Sequence, residues 1–322
     1  MTAPLRVGTR GSALATTQTG HVVAALAARL DRPVETVRVR TDGDVLTGSL
    51  ASLGGGGVFV AALREALLDG RCDLAVHSLK DLPTAPVPGL AMIIPLREDP
   101  HDALCARDGL TLADLPERAR VGTGSPRRAA QLKAVRRDLE IVDIRGNVET
   151  RLARALSVDA DLDAVVLACA GLARLGRRET IAQVLDPCVL TPAAGQGALA
   201  VEVRGRVLDD AALARALAEL DDPATRWAVA AERGVLAGLE AGCAAPVGAY
   251  ATLTGRRLHL YAVVTSLDGT ARLVAEDAAD LPDAGAEVVA AELGHRVAGD
   301  LLAAGARDIA PLGTPGDGAD GR

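Results

Sequence analysis

The stretch RVGTRGS at residues 6–12 returns in shortened form as RVGTGS at residues 120–125. Each copy reads as the end of a strand, a glycine turn, and a serine that caps a helix rich in alanine. The stretches at residues 73–76 and 163–166 look like a second pair of corresponding strands, although their spacing differs. The repeat therefore predicts two lobes of related fold, each opened by one copy.

Strands that alternate with helices predict an α/β fold with mainly parallel sheets, in which ligands bind at the carboxyl ends of the strands. Two such lobes that face each other would form a cleft. The composition agrees, because hydrophobic residues make up 49% of the chain and aromatic residues only 1%, which leaves Ala, Leu and Val to build the core. Stretches containing Pro and Gly, at residues 96–100 and 191–197, bracket the second lobe as candidate hinges.

A third, smaller α/β domain is predicted after the two lobes. It would contain helical runs at 225–241 and 284–304 and strands at 249–254 and 258–264. The tail is rich in Gly, Pro and Asp, so we expect it to be disordered. The predicted boundaries are 1–97 with 197–220 for domain 1, 101–192 for domain 2, 223–312 for domain 3, and 313–322 for the tail.

Composition also excludes several classes of protein. The formal net charge of −7 argues against nucleic acid as a partner, because affinity for phosphate backbones comes from excess positive charge. No apolar run approaches the ~20 residues that span a bilayer, and the N-terminal residues do not resemble a signal peptide, so we expect a cytoplasmic protein. Its five cysteines form no C-x-x-C pair, which argues against a disulfide framework or a zinc site. We expect a monomer, since no apolar surface helix is evident.

Two arginines fall where a helix disfavours them. Ser125 is a predicted cap and Pro126 fits the first helical position, so Arg127 and Arg128 lie in the first turn. A helix N-terminus already carries about half a positive charge, and cations there are unfavourable unless an anion lies among them. The arrangement predicts an anionic ligand.

Two other helix starts follow the same pattern. Arg145 and Arg151 flank the predicted cap Asn147, and Arg10 precedes the cap Ser12. Arginine presents a planar fork that pairs with carboxylate or phosphate, so the set suits a ligand with several such groups. The alternative is that these arginines are ordinary solvated side chains, because arginine supplies nearly all the basic residues of this chain.

The heptapeptide HSLKDLP at residues 77–83 follows an apolar strand. In the functional interpretation, Lys80 contacts an anion and Asp81 handles protons or a developing positive charge. In the structural interpretation, Ser78 and Asp81 form a capping box. We interpret His77 as a hydrogen-bonded residue at the strand end without a catalytic role.

Cys243 lies in the stretch GCAAP, where Gly242 fits a helix C-cap and leaves the cysteine in a loop. A thiolate there would be a strong nucleophile. Free cysteine is more often a small buried hydrophobe, as Cys169 is predicted to be.

These motifs together resemble the hydroxymethylbilane synthase (porphobilinogen deaminase) family across residues 5–250. In the family's order they are GTRGS, HSLKDLPT, VGTGSPRR, IRGNVETRL, AGLARLG, LTPAAGQGALAVE and EAGCAAPVGAYA. The resemblance implies two lobes folded like periplasmic binding proteins and a third domain that carries the cofactor loop. It also implies stepwise deamination and head-to-tail joining of four porphobilinogen molecules into linear hydroxymethylbilane, with release of ammonia, in tetrapyrrole and heme biosynthesis.

The resemblance also implies the site residues. Cys243 matches the cysteine that bears a dipyrromethane cofactor through a thioether, and Asp81 matches the catalytic aspartate that assists loss of ammonia and stabilises cationic intermediates. Carboxylate-binding arginines match Arg10, Arg127, Arg128, Arg145, Arg151 and Arg174. Smaller polar contacts match Ser12, Ser78, Lys80, Thr123 and Ser125.

One segment departs from the family. Many relatives carry lysines in the loop before the residue that matches Phe59, whereas no basic residue lies between Thr41 and Leu63 here. We interpret Gly54, Gly55, Gly56 and Gly57 as a flexible lid that closes without ion pairing.

The sequence is also compatible with two rival functions. A non-catalytic, two-lobed anion-binding protein would explain the arginines but not the third domain with its exposed cysteine. A cysteine-nucleophile hydrolase or transferase would need a histidine to activate the thiol, and none lies near Cys243 in sequence.

Overall fold

A computed structural model describes residues 3–39, 57–242 and 244–313. The chain divides into two compact units, Met1–Glu98 with Gly197–Arg226, and Asp99–Gln196 with Trp227–Arg322. The boundaries after Glu98 and after Gln196 fall inside the connections predicted at 96–100 and 191–197, and the third boundary, after Arg226, lies outside them. The division into three domains stays a prediction.

The elements follow in chain order. The first lobe begins with β1 (Leu5–Thr9), α1 (Ala13–Ala27), β2 (Val34–Arg38), α2 (Gly57–Leu68), β3 (Leu74–Ser78) and β4 (Leu90–Ile93). The second lobe contains β5 (Asp102–Ala106), β6 (Arg120–Gly122), α3 (Pro126–Val135), β7 (Glu140–Val142), α4 (Val148–Leu156), β8 (Ala164–Ala168), α5 (Cys169–Arg174) and β9 (Gln183–Leu185). The chain then continues through β10 (Leu199–Arg204), α6 (Ala211–Leu220), α7 (Pro223–Gly238), β11 (Val247–Thr254), β12 (Arg257–Thr265), β13 (Arg272–Asp280), α8 (Ala286–Ala303) and α9 (Ala306–Ile309).

The sheet of the first lobe has the strand order β2-β1-β3-β10-β4. Strands β1, β2 and β3 are parallel, and β10 runs antiparallel to both of its neighbours, so four of the five strands share one direction. One face carries a core that includes Val7, Leu26 and Val201, and the other carries a second core that includes Leu63 and Cys72. Because both faces are covered, the strands read as apolar runs rather than alternating ones.

The sheet of the second lobe repeats this plan, with the order β7-β6-β8-β5-β9 and β5 as the single antiparallel strand. Strand β6 occupies the place of β1, and β8 occupies the place of β3. The repeat predicted from the sequence is therefore confirmed, as is the α/β class with mainly parallel sheets in the two lobes.

The third sheet is antiparallel throughout, in the order β11-β12-β13. Its core includes residues of α7 and α8, whose backbones approach so closely that a Cβ built on Gly294 would lie 2.2 Å from the carbonyl oxygen of Ala231. The helices and the first two strands were predicted within a few residues. Strand β13 was not, because it lies at the sheet edge and most of its side chains are exposed or half-buried acids and alanines.

Within the described ranges, no helix is both long enough and apolar enough to cross a membrane.

Candidate active site

The first helix of the first lobe begins where the sequence predicts. The side chain of Ser12 accepts a hydrogen bond from the backbone N–H of Ala15 at 3.2 Å and so caps α1. Arg10 is half-buried in the turn between β1 and this cap. Both residues follow the carboxyl end of β1, which is the edge of a parallel sheet that binds ligands.

Asp81 lies at the end of a short 3-10 helix, Leu79–Asp81, that follows β3 directly. Leu79 is wholly buried and its backbone N–H donates to the carbonyl of Ala198 at 3.0 Å, which fixes the turn to the start of β10. Lys80 is half-buried and Asp81 is exposed. A buried leucine thus holds a solvent-facing acid at the carboxyl edge of the sheet.

Ser78 does not form the capping box that was the structural alternative. It stands at the N-cap position of the 3-10 helix but makes no capping hydrogen bond with its side chain. Its hydroxyl instead exchanges hydrogen bonds with the amide of Gln18 on α1, at 3.1 and 3.3 Å. The capping explanation of Ser78 and Asp81 is therefore wrong, because a partner distant in sequence takes the hydroxyl.

His77 lies against a buried carboxylate near the end of β3, and its lack of a catalytic role stays a prediction. Its Nε2 lies 3.2 Å from Oε2 of Glu202, and both side chains are nearly buried. Arg64 donates to the same carboxylate from Nε and Nη2, with the shortest distance 2.7 Å. Although burial works in the opposite direction, the contacts with His77 and Arg64 lower the pKa of Glu202 to about 2. The carboxylate stays ionised within the lobe.

The N-terminus of α3 in the second lobe also has its predicted form. Ser125 caps the helix through the backbone N–H of Arg128, and Pro126 occupies the first helical position. The hydroxyl of Thr123, which is buried, accepts a hydrogen bond from the backbone of Ser125 at 3.2 Å. Thr123 and Ser125 follow the carboxyl end of β6.

The anion that neutralises the first turn of α3 is a side chain of the protein itself. Arg127 and Arg128 are 4% and 6% exposed, and both bind Asp102, which is 0% exposed. Arg127 Nη2 lies 2.7 Å from Oδ2, while Arg128 Nε and Nη2 lie 2.9 and 2.6 Å from Oδ1. The inference that this helix start requires an anionic ligand is corrected, because Asp102 already supplies an anion.

The charges of Asp102, Arg127 and Arg128 shift the pKa values of their neighbours. Burial opposes the ionisation of Asp102, but the two guanidinium groups outweigh it and lower the pKa of this carboxyl to about 2. Burial lowers the pKa of Arg127, and the charge of Arg128 lowers it further while Asp102 opposes the shift. Two cations share one anion, so the cluster retains excess positive charge.

The start of α4 adds further arginines. Asn147 caps the helix by accepting from the backbone N–H of Thr150 at 2.8 Å, as predicted. Arg145 is exposed and lies 3.1 Å from Asp143, and half-buried Arg151 donates from Nε to the carbonyl of Gly146 at 2.9 Å. Burial lowers the pKa of Arg151, and the charges of Arg128 and Arg145 lower it further.

The second lobe gathers seven predicted ligand-binding residues after the carboxyl ends of three neighbouring strands. They follow β6, β7 and β8, where Arg174 is the last residue of α5: Thr123, Ser125, Arg127, Arg128, Arg145, Arg151 and Arg174. The first lobe does the same after β1 and β3, with Arg10, Ser12, Ser78, Lys80 and Asp81. The binding roles of these residues remain predictions.

Sequence reasoning missed two members of the second cluster. Asp102 opens β5, and Gln196 lies in the return connection and is 0% exposed. The Gln196 amide donates to the Asp102 carboxylate at 2.8 Å and to the Pro100 carbonyl at 2.8 Å. A polar residue that opens an otherwise apolar strand was the only signal for Asp102.

The predicted end of α7 is corrected. The helix ends at Gly238, and Glu240, with φ 51°, is the left-handed residue in place of Gly242. The backbone N–H of Ala241 then returns to the carbonyl of Leu236 at 2.9 Å, which closes the helix end.

Some predicted site residues lie outside the described ranges. These are Cys243 and the lid glycines Gly54, Gly55 and Gly56. The backbones of Gly57 and Phe59 belong to α2. Cys169 is buried as predicted, and burial raises the pKa of its thiol to about 12. Attachment of a cofactor and closure of a lid therefore stay predictions.

Two family models match the chain. The model described as "Porphobilinogen deaminase, dipyromethane cofactor binding domain" matches residues 5–213. The model described as "Porphobilinogen deaminase, C-terminal domain" matches residues 227–303. The first range covers the two lobes as far as the start of α6, and the second covers the whole third sheet with α8 and most of α7.

Curated relatives are similar over nearly their whole length. The porphobilinogen deaminase of Leifsonia xyli subsp. xyli is 56% identical over 313 residues, which cover 96% of this chain and 94% of the relative. That of Thermobifida fusca is 52% identical, with 96% of each chain covered. Among solved structures, the periplasmic aliphatic sulphonate binding protein SsuA from Escherichia coli matches with a TM-score of 0.37 and 15% identity, over 74% of this chain and 70% of that chain.

Proposed function

The chain belongs to the porphobilinogen deaminase family, and we propose from this premise that it is a transferase that deaminates porphobilinogen and joins four of the pyrroles into linear hydroxymethylbilane. This reaction is a step of tetrapyrrole biosynthesis, and it releases ammonia. A non-catalytic anion-binding protein, the rival considered from the sequence, is not favoured by membership in an enzyme family.

The observation that carries the proposal is the arginine cluster at the carboxyl edge of the second lobe's sheet. Porphobilinogen brings carboxylates with every unit, and these need cations held in fixed places. Burial and the charge of Arg128 lower the pKa of Arg151, so a carboxylate between the two arginines would relieve their repulsion. Each guanidinium presents a fork that matches a carboxylate.

The residues also fit a dipyrromethane cofactor, which carries carboxylates of the same kind. Nε of Arg127 is buried and has no hydrogen-bond partner in the described part of the chain, so it is a donor that a carboxylate could satisfy. We propose that Arg127, Arg128, Arg145 and Arg151 hold the carboxylates of the cofactor and of the growing product. When bound to Cys243 through a thioether, the cofactor supplies the pyrrole carbon to which the first substrate unit is joined.

We propose that Asp81 is the catalytic carboxylate. Loss of ammonia from porphobilinogen leaves positive charge on the pyrrole, and a carboxylate held close to its nitrogen stabilises that charge. Asp81 suits this role because it is exposed while the turn beneath it is fixed by buried Leu79. Lys80, Ser78, Ser12 and Arg10 follow the same edge of the first sheet and would bind substrate carboxylates.

The mass of the intact purified protein tests the proposal. We expect a mass increase equal to two pyrrole units, consumption of porphobilinogen and release of ammonia. Cys243→Ala should lose both the added mass and the activity. Cys188→Ala is the matched control, because Cys188 is the exposed thiol among the described cysteines, and this variant should keep both. An unmodified mass in an active wild-type enzyme would refute the assignment of Cys243.

We also propose that the glycine lid closes without ion pairs of its own and that the protein acts as a monomer. Size measurement by light scattering tests the second point.

A further inference from the structure

Asp102 stands at a special place in the second lobe. It is the first residue of β5, and its register partner is Ala168, the last residue of β8. Because β5 runs antiparallel to the other strands, its beginning lies at their carboxyl ends. A wholly buried carboxylate therefore lies at the edge of the sheet where ligands bind.

The carboxylate divides its two oxygens between two arginines. Oδ2 accepts from Arg127 at 2.7 Å, and Oδ1 accepts from Arg128 at 2.9 and 2.6 Å. Charge-assisted hydrogen bonds of this kind fix the plane of a guanidinium as well as its position. A free arginine side chain would lose several rotamers when it binds a ligand, whereas these two have already lost them.

Further hydrogen bonds attach the same cluster to the chain segments that enter and leave the lobe. Gln196 donates to Asp102 and to the carbonyl of Pro100, both at 2.8 Å, and its amide oxygen accepts from Arg128 at 3.4 Å. The carbonyl of Thr191 accepts from Arg127 and also from Gln131 on α3 at 3.2 Å. Both connections are thus held to the arginine pair.

Asp102 does not cancel the charge of its partners. One carboxylate faces two guanidinium groups, and Arg128 also repels Arg151. Nε of Arg127 remains without a hydrogen-bond partner in the described ranges. The pair can therefore be held in place by one anion and still attract another.

We propose that Asp102 is a positioning residue for binding of substrate and cofactor carboxylates. It fixes the guanidinium planes of Arg127 and Arg128, and Gln196 secures it to the connections. This inference rests on the proposed function, in which the two arginines bind pyrrole carboxylates. It adds that their affinity depends on a carboxylate that itself never contacts the ligand.

Asp102→Asn in the cofactor-loaded enzyme tests the inference. The amide keeps the size of the side chain but removes the charge that orients both arginines. We expect the KM for porphobilinogen, measured per loaded chain, to rise roughly tenfold while kcat changes much less, because the lost interaction supports binding in ground and transition states alike. Asp102→Glu, which restores a carboxylate, should recover part of the loss.

Asp163→Asn is the matched control. This carboxylate lies in the same lobe, just before the other end of β8, and accepts from the backbone N–H of Arg120 at 2.7 Å. Asp163→Asn should leave the KM for porphobilinogen unchanged even if it lowers the stability of the protein. A wild-type KM in folded, loaded Asp102→Asn would overturn the inference.

Gln196→Met covers the case in which Asp102→Asn does not fold. This variant keeps Asp102 and both arginines but removes the amide that secures them, so we expect a rise in KM of about threefold. An unchanged KM in folded Gln196→Met would then overturn the inference. Failure of the proposed function is a separate result, because it would appear as absence of porphobilinogen consumption by the wild-type enzyme.

Discussion

The two lobes share a strand order but use their buried carboxylates at different places along it. In the first lobe, Glu202 lies on the antiparallel strand β10 opposite Ala75, near the start of β3. In the second lobe, Asp102 lies on the antiparallel strand β5 opposite Ala168, at the end of β8. Both carboxyls have a pKa of about 2, because cationic partners outweigh the effect of burial.

The difference shows that position along the strand decides what a buried ion pair can do. Away from the carboxyl edge, Glu202 holds together His77 and Arg64, and the edge of that lobe presents the exposed acid Asp81. At the carboxyl edge, Asp102 holds Arg127 and Arg128 in place, and we propose that these two arginines bind ligand carboxylates. The same strand order therefore places an exposed acid beside Arg10 and Lys80 at the edge of the first lobe, and a buried acid beneath an arginine pair at the edge of the second.

The greatest loss of activity is expected at the exposed acid Asp81, in contrast to the buried acid Glu202. Asp81→Asn should lower kcat roughly 10²–10³-fold, because a neutral amide cannot stabilise the positive charge that develops on the pyrrole. Its unfolding midpoint should not move, since Asp81 is exposed. Turnover of porphobilinogen and thermal unfolding measure the two quantities. Activity above a tenth of the wild-type value would remove Asp81 from the catalytic role.

Glu202→Gln should show the opposite behaviour. Removing the charge leaves Arg64 and His77 without their anion inside the lobe, so we expect the free energy of unfolding to fall by about 3–5 kcal/mol. Urea unfolding measures this loss. Glu219→Gln is the control, because Glu219 is 54% exposed in its pair with Arg29 and should change stability by less than about 1 kcal/mol. Equal losses of unfolding free energy in the two variants would contradict the contrast between a buried and an exposed ion pair.

Acid unfolding tests both buried carboxyls together. The pKa of Glu202 is lowered from 4.5, and that of Asp102 from 3.8, each to about 2 in the folded protein. Groups with a lowered folded pKa stabilise the protein fully above their unfolded pKa, and this stabilisation disappears as the pH falls from about 4.5 towards 2. Unfolding free energy measured against pH should therefore decline over that window. This decline should be shallower in Glu202→Gln than in the wild type. An identical slope would count against a lowered pKa of Glu202 in the folded protein.

The smallest expected change in stability tests whether the two copies of the repeat pack alike. Gly8 and Gly122 hold the same place in the repeat, and a Cβ would lie 2.8 Å from Sγ of Cys72 in the first case and 2.6 Å from Cδ1 of Leu162 in the second. Alanine at either site should cost about 1–3 kcal/mol through overpacking. Gly20 lies within α1, and a Cβ added there would have nothing within 4 Å. Gly20→Ala should therefore stabilise the protein slightly. Denaturant unfolding midpoints compare the three alanine variants. Unchanged midpoints for the variants at Gly8 and Gly122 would argue against equivalent packing in the two lobes.

Features that depend on neighbours in the chain could be predicted from the amino-acid sequence. The caps Ser12, Ser125 and Asn147 were predictable because a cap bonds to the backbone N–H two or three positions later. The paired strand-turn-helix units and the α/β class follow from local apolar runs and turn residues. The likeness to one enzyme family rests on the same short motifs.

Which side chains pair with one another became clear from the packed fold. The carboxylate of Asp102 meets Arg127 across 25 positions of sequence, and Gln18 meets Ser78 across 60. Local patterns carry no record of such pairs, since they form only when elements that are distant in the chain pack together. For the same reason, α3 looked like a helix in need of an external anion until its partner strand was in place.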